Sequence, residues 1–286
     1  MAQTRYNIEN VYKDIFTING YFGVKNGGSE YAEKEIKKYC PHKGGNYNGY
    51  GTCFNYHEMA TSGVINLVEN LMKYGLDYDK LAEYAILFLS YKLYQNPDYS
   101  GKKLNDIYTK NIEKNEYYNN KIKVNGLTCK EIINRKRDLM NTNEISKFNV
   151  LFSILFSFYN EINKNNLNCK NCSQKANEFA DKFKELNDDS NINGNISYSK
   201  LLSTLSDDYN NLINIYDSNN SCNLPPLPKV KTPPSKLIPV LSTIPVIPVL
   251  LGIAYKYSLF GVDKLFQRQY IRKKLKKVKK KLKLNI

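Results

Sequence analysis

Apolar residues recur at intervals of three and four along most of the chain, the spacing that gathers them on one face of a helix. Val64, Leu67, Val68, Leu71 and Met72 form one such stripe. Asp79 is placed to cap the next helix, in which Ala82, Ala85, Ile86, Leu89 and Leu93 share a face until Pro97 ends it. Further helices are predicted around 103–119, 128–141, 143–163, 173–187 and 197–217. In the last, Leu201, Leu202, Leu205, Tyr209, Leu212, Ile213 and Tyr216 repeat at helical spacing. The run from Val150 to Tyr159 is apolar all round, is too short to cross a bilayer, and reads as the central buried helix. Residues 1–60 are mixed, with glycine turns at Gly27-Gly28 and between Gly44 and Gly49. No window alternates with period two, so no sheet is expected and the fold class is all-α.

The pattern changes after Cys222. Leu224-Pro225-Pro226-Leu227-Pro228 and Thr232-Pro233-Pro234 predict an extended, semi-rigid spacer. The uncharged segment from Leu237 to Tyr255 lies between Lys236 and Lys256. At about 1.5 Å per residue it matches a hydrocarbon core of roughly 30 Å, and it predicts a single spanning helix. Pro239, Pro245 and Pro248 interrupt it, as membrane helices tolerate. Beyond it, Ile271, Leu275, Val278 and Leu282 share one helical face. Arg272, Lys273, Lys274, Lys276, Lys277, Lys279, Lys280 and Lys281 cover the others, which makes a basic amphipathic helix suited to an anionic inner leaflet. The expected organisation is a helical domain over 1–222, a proline hinge over 223–236, a transmembrane helix over 237–257 and a basic tail over 258–286.

Charge bears this out at the level of composition. The net charge of +15 and the pI near 9.3 invite a nucleic-acid partner. Yet eleven Lys or Arg residues and no acid lie between Lys264 and Lys283, so the excess belongs to the tail. Anionic lipid is the expected partner, and nucleic acid is not. A cluster on that side predicts a cytoplasmic C-terminus, with the domain outside or lumenal. Met1 to Asn7 contain no apolar run, so no cleavable signal peptide is read there.

The candidate chemistry is thin. Cys40, Cys53, Cys129, Cys169, Cys172 and Cys222 all precede the span and are candidate disulfide cysteines; six reduced thiols are the alternative. Cys40, His42, Cys53 and His57 hold four metal-ligand types in eighteen residues, but the Cys-x-His spacing matches no common zinc finger. A Cys40–Cys53 bridge across the glycine-rich loop is favoured over zinc. Cys169-x-x-Cys172 has a redox or metal spacing without a second pair or a strand-to-helix context, which favours a structural role. No GxSxG, HExxH, phosphate loop or dinucleotide fingerprint occurs. Glu83 reads as a helix-surface residue, and no carboxylate stands out in an apolar pocket. No enzyme activity, metal or cofactor is expected.

Several stretches resemble the Plasmodium interspersed repeat (PIR) family, with its Yir, Bir and Cir branches. They are Lys80 to Leu93, Lys175-Ala176-Asn177-Glu178-Phe179, Leu202 to Asn211, Cys169-x-x-Cys172, Ser235 to Ser242 and Gly252 to Gly261. The resemblance implies a variant antigen of malaria parasites, exported toward or displayed on the infected red cell, with a disulfide-containing helical ectodomain and one membrane helix. It implies a partner among host proteins or antibodies, and a location at the red-cell surface or the parasitophorous vacuole membrane. It carries over no catalytic residue. The alternative function is an internal membrane scaffold or trafficking protein.

Overall fold

The computed structural model describes residues 7–43, 49–99, 101–122, 126–140, 143–163, 169–218, 224–233 and 266–280. Two compact units divide the chain at Pro233 and Pro234.

The first helix, α1 (Ile8–Asn19), lies in the segment that the sequence pattern leaves mixed. The Asn7 side chain accepts from the amides of Glu9 and Asn10, and Ile8, Val11, Tyr12, Ile15 and Ile18 are buried. Two small antiparallel sheets follow, against the expectation of none. β1 (Phe22–Val24) pairs with β2 (Glu30–Ala32), and after the short helix α2 (Lys34–Lys37), β3 (His42–Lys43) pairs with β4 (Gly51–Thr52). Strands of two and three residues cannot display an alternating pattern, which is why periodicity misses them. Gly27 and Gly28, with φ of 104° and 85°, make the first turn.

Helix α3 (Tyr56–Leu71) is capped by Asn55, and its Val64–Leu71 stripe faces the core as predicted. Helix α4 (Tyr78–Gln95) is capped by Asp77, whose side chain accepts from the Lys80 amide, rather than by Asp79. Every residue of α4 from Leu81 to Leu93 is buried, because α3, α6 (Cys129–Asn134) and α7 (Asn149–Asn163) surround it. The central position therefore belongs to α4 as well as to the apolar α7. The region predicted as one helix around 103–119 is broken into α5 (Leu104–Ile107), a π turn over Tyr108–Ile112 and a 3-10 turn over Glu116–Asn119. Likewise a capping box between Thr128 and Glu131 starts α6, and a 3-10 turn over Arg137–Met140 follows it. Helices α8 (Cys169–Asp188), α9 (Ser190–Asn193) and α10 (Ile196–Ser218) complete the bundle, with Leu201, Leu202, Leu205, Tyr209 and Leu212 buried.

The proline segment is extended, but over 224–233 it lies along the bundle instead of standing clear of it. Leu224 is buried, and the Tyr209 hydroxyl donates to the Pro225 carbonyl at 3.0 Å. Asn187 donates to the Lys229 carbonyl and accepts from the Lys231 amide, while Lys231 pairs with Asp188. Among the described residues no helix is long and apolar enough to cross a membrane. The predicted span over 237–257 lies outside the described residues. In the second unit, residues 266–280 form a helix.

Candidate functional site

The Cys40–Cys53 disulfide joins the end of the α2 segment to β4, with a Cα–Cα distance of 4.9 Å. Gly51 passes so close to this turn that a Cβ there would lie 2.3 Å from the Cys40 carbonyl oxygen. Both sulfurs are used by the bridge, and the two histidines point elsewhere. His42 meets Glu58 at 3.1 Å and stacks on Phe54, whereas His57 sits edge-on to Tyr99. Burial, reinforced by Lys102 and Lys110, holds the His57 imidazole below its ordinary value. Among the described residues no group of three His, Cys, Asp or Glu side chains is placed to hold a metal.

Cys129 departs from its candidate role: it is a buried thiol with no disulfide, at the start of α6. Burial pushes that thiol well above its usual value. Cys172 is buried with its sulfur 3.5 Å from Glu161, a carboxylate that Lys175 also holds. The side chain of Cys169 and all of Cys222 lie outside the described residues.

The most consequential polar group is one that sequence reasoning passed over. Asp208 on α10 is fully buried at the junction of α1, α4, α7 and α10. The hydroxyls of Tyr12 and Tyr84 donate to its Oδ2 at 2.9 and 2.8 Å, and Lys80 Nζ lies 3.8 Å from Oδ1. The Tyr159 hydroxyl donates to the Asp208 backbone carbonyl at 2.7 Å, and its ring stacks on Tyr12. Burial lifts this carboxyl to about 6, although Lys80 and the two tyrosines pull it the other way. One signal was legible: position 208 falls on the apolar stripe, three after Leu205 and four before Leu212.

Glu83 is likewise not a surface residue. It is 3% exposed, accepts from Thr204 Oγ1 at 2.7 Å, and pairs with the buried Lys136 at 2.7 Å. It was misassigned because α4 is covered on every side. Glu83 and Lys136 line a cleft of about 650 Å³, with Asp79, Lys80, Arg135 and Lys200 around it. Burial would raise Asp79, but Arg135 and Lys136 more than offset it and hold its carboxyl below the usual range. The carboxylates Glu83 and Asp79 are thus each paired with neighbouring cations, an arrangement that ties α4 to the end of α6 and the residues after it.

In the helix over 266–280, Phe266, Tyr270, Ile271, Leu275 and Val278 are all exposed, between 54% and 64%. Ile271, Leu275 and Val278 share a face, and Arg272, Lys273, Lys274, Lys276, Lys277, Lys279 and Lys280 occupy the remainder. Lys281 and Leu282 lie outside the described residues.

The sequence profile of the Plasmodium variant antigen protein Cir/Yir/Bir matches residues 7–256, from the cap of α1 into the apolar segment. The chain belongs to this family. A solved Plasmodium PIR protein ectodomain is 32% identical and superposes with a TM-score of 0.58, covering 79% of this chain and 99% of that one. No sequence among curated proteins matches it. This member of the Cir/Yir/Bir family is mostly helical and, among the described residues, carries one disulfide, at its N-terminal hairpins. Its buried charges act as struts between helices.

Proposed function

We propose that this chain is a variant surface or exported antigen of a malaria parasite that acts in host interaction or immune evasion without catalysis. Family membership carries the reading, since the profile covers nearly all of the chain. The chemistry of the interior agrees with it. Glu83 is paired with Lys136 and Asp208 is held by tyrosines, so these buried charges serve the fold. The apolar segment over 237–257 holds the protein in a membrane, with the domain outside or lumenal and the basic tail cytoplasmic. The partner is a host protein or an antibody.

The deciding experiment is surface proteolysis of live, unpermeabilised infected cells, read with an antibody to residues 1–220. Loss of signal is expected. Protection until the membranes are opened would remove the antigen reading.

A second reading rests on the tail. The helix over 266–280 exposes its apolar face and carries eight cations without an acid, which suits a leaflet or scaffold partner inside the cell. Relocation of the protein after neutralising Lys273, Lys274, Lys276 and Lys277 would favour it.

A further inference from the structure

The two small sheets leave a backbone edge open to one groove. β2 pairs only with β1, in a register that sets Gly23 opposite Tyr31. The bonds from the Glu33 amide to the Tyr21 carbonyl and from the Lys25 amide to the Ser29 carbonyl fix the phase of the ladder. Alternate residues carry the bonds of an antiparallel pair, so Tyr31 turns its backbone groups toward β1. Glu30 and Ala32 turn theirs the other way, and among the described residues neither makes a backbone bond outside the pair.

That edge borders a groove of about 780 Å³. Its opposite wall is β4, which is also paired on one side only. Met59 and Tyr31 supply apolar lining, and Tyr50 stands 39% exposed beside them. Lys34 and Lys37 of α2 flank it, and neither makes an ion pair among the described residues. Glu30 and Glu33 also line it, so a uniformly acidic ligand is disfavoured. The Cys40–Cys53 bridge ties β4 to the end of the α2 segment and presets the distance between the walls.

We infer that this groove takes an extended segment of a partner protein, which adds to the Glu30–Ala32 edge as a strand and sets a carboxylate against Lys34 and Lys37. Main-chain bonds to an open edge supply affinity in this mode, and alternate side chains supply specificity. An edge left open at the surface is otherwise a hazard that proteins cover. The inference rests on the host-interaction reading, since it names the kind of surface such a partner would present.

The test begins with panning random heptapeptides against the full chain in nanodiscs. Enriched sequences should alternate β-branched residues with polar ones and carry Asp or Glu toward one end. A selected peptide, made synthetically, should bind with an affinity that falls at least roughly tenfold when alternate amides are N-methylated, because methylation removes the ladder donors. The exposed pair Lys34→Glu and Lys37→Glu should weaken it by about tenfold as well. Ala32→Pro should abolish binding; the methylated peptides make the same test on unaltered protein if that variant folds poorly. No enrichment above an unrelated helical protein, or binding indifferent to both methylation and the lysine changes, would overturn the inference. Such a failure with the domain still cleavable on live cells removes the groove alone. Peptide binding by a chain that never reaches a surface removes the antigen reading alone.

Discussion

The Tyr84 hydroxyl donates to the Asp208 carboxylate at 2.8 Å across 124 residues of sequence, and it makes α4 and α10 a single unit. A buried carboxyl at about 6 sits above its unfolded value, taken as 3.8. The folded state then binds more protons than the unfolded one between those values, so stability falls as pH rises through that window. The loss is of order 3 kcal/mol and is complete above about pH 6. His57, held below its ordinary value, acts in the opposite sense below neutral pH. The wild-type urea midpoint should therefore rise relative to that of Asp208→Asn as pH is lowered from 7 to about 5. Tyr84→Phe should cost about 1.5–3 kcal/mol at pH 7, as for a hydrogen bond to a charged group, and less at pH 5. A wild-type midpoint that runs parallel to that of Asp208→Asn over this range would contradict the assignment. Asp79, Asp188 and Asp189 are held below their usual values, so their contributions are lost only at lower pH.

Glu83 and Lys136 pose a different case, a buried pair with a third group, Thr204, sharing the carboxylate. Removing Lys136 leaves the buried Glu83 carboxylate with Thr204 alone, whereas removing Glu83 leaves Lys136 with Asp79 at 3.6 Å. Lys136→Met should cost about 3–5 kcal/mol, and Glu83→Gln less, because Asp79 still faces Lys136. The double replacement by Leu and Met should recover most of that loss, since apolar residues of similar volume substitute well for buried ion pairs. Chemical denaturation of the four proteins in a double-mutant cycle measures the coupling. A double variant as unstable as the sum of the two singles would show that the pair does not act as a unit.

These two sites mark where sequence reading stops. The stripe of α10 was visible because one side of that helix faces a continuous core; that of α3 was visible although the helix is buried on every side from Met59 to Val68. The Leu81–Leu93 stretch of α4 is buried all round, so its apolar face of Ala82, Ala85, Ile86, Leu89 and Leu93 described only part of its environment. Glu83 looked solvated for that reason alone. Asp77 and Asp79 both have the chemistry of a cap; the choice between them depends on Arg135 and Lys136, which claim Asp79 from another segment. The partners of Asp208 lie 196 and 124 residues away, and no local pattern announces them. The Cys40–Cys53 bridge, by contrast, closes a short glycine-bearing loop and could be favoured on spacing.

That bridge spans a sequence separation of 13, and a loop of this size confines the unfolded chain by about 3 kcal/mol. Cys40→Ser with Cys53→Ser should lower stability by roughly that amount. The melting temperature should drop by about 2–4 °C for each kcal/mol in a domain of this size. Gly51→Ala should act in the same direction with the disulfide intact, because its Cβ would meet the Cys40 carbonyl oxygen at 2.3 Å. Calorimetry with and without a reductant separates the two effects: reductant should destabilise the wild type and leave the double serine variant unchanged. Equal stability of the reduced and oxidised wild type would refute the entropic account.

The tail helix answers to a charge count. Arg272, Lys273, Lys274, Lys276, Lys277, Lys279 and Lys280 belong to a helix whose Ile271, Leu275 and Val278 are exposed. Each basic residue near an anionic surface contributes about 1 kcal/mol, and the benefit is screened by salt. A peptide of residues 264–286 should thus bind vesicles containing phosphatidylserine and should leave neutral phosphatidylcholine vesicles largely in solution. Replacing Lys273, Lys274, Lys276 and Lys277 with Gln removes four charges and should weaken binding by up to about 4 kcal/mol at low salt. Leu275→Gln should weaken it by a smaller, salt-independent amount, because only apolar burial is lost. Cosedimentation at two salt concentrations separates these terms. Binding that ignores both charge and salt would leave the lysines with no lipid role and reduce the tail to a topological stop.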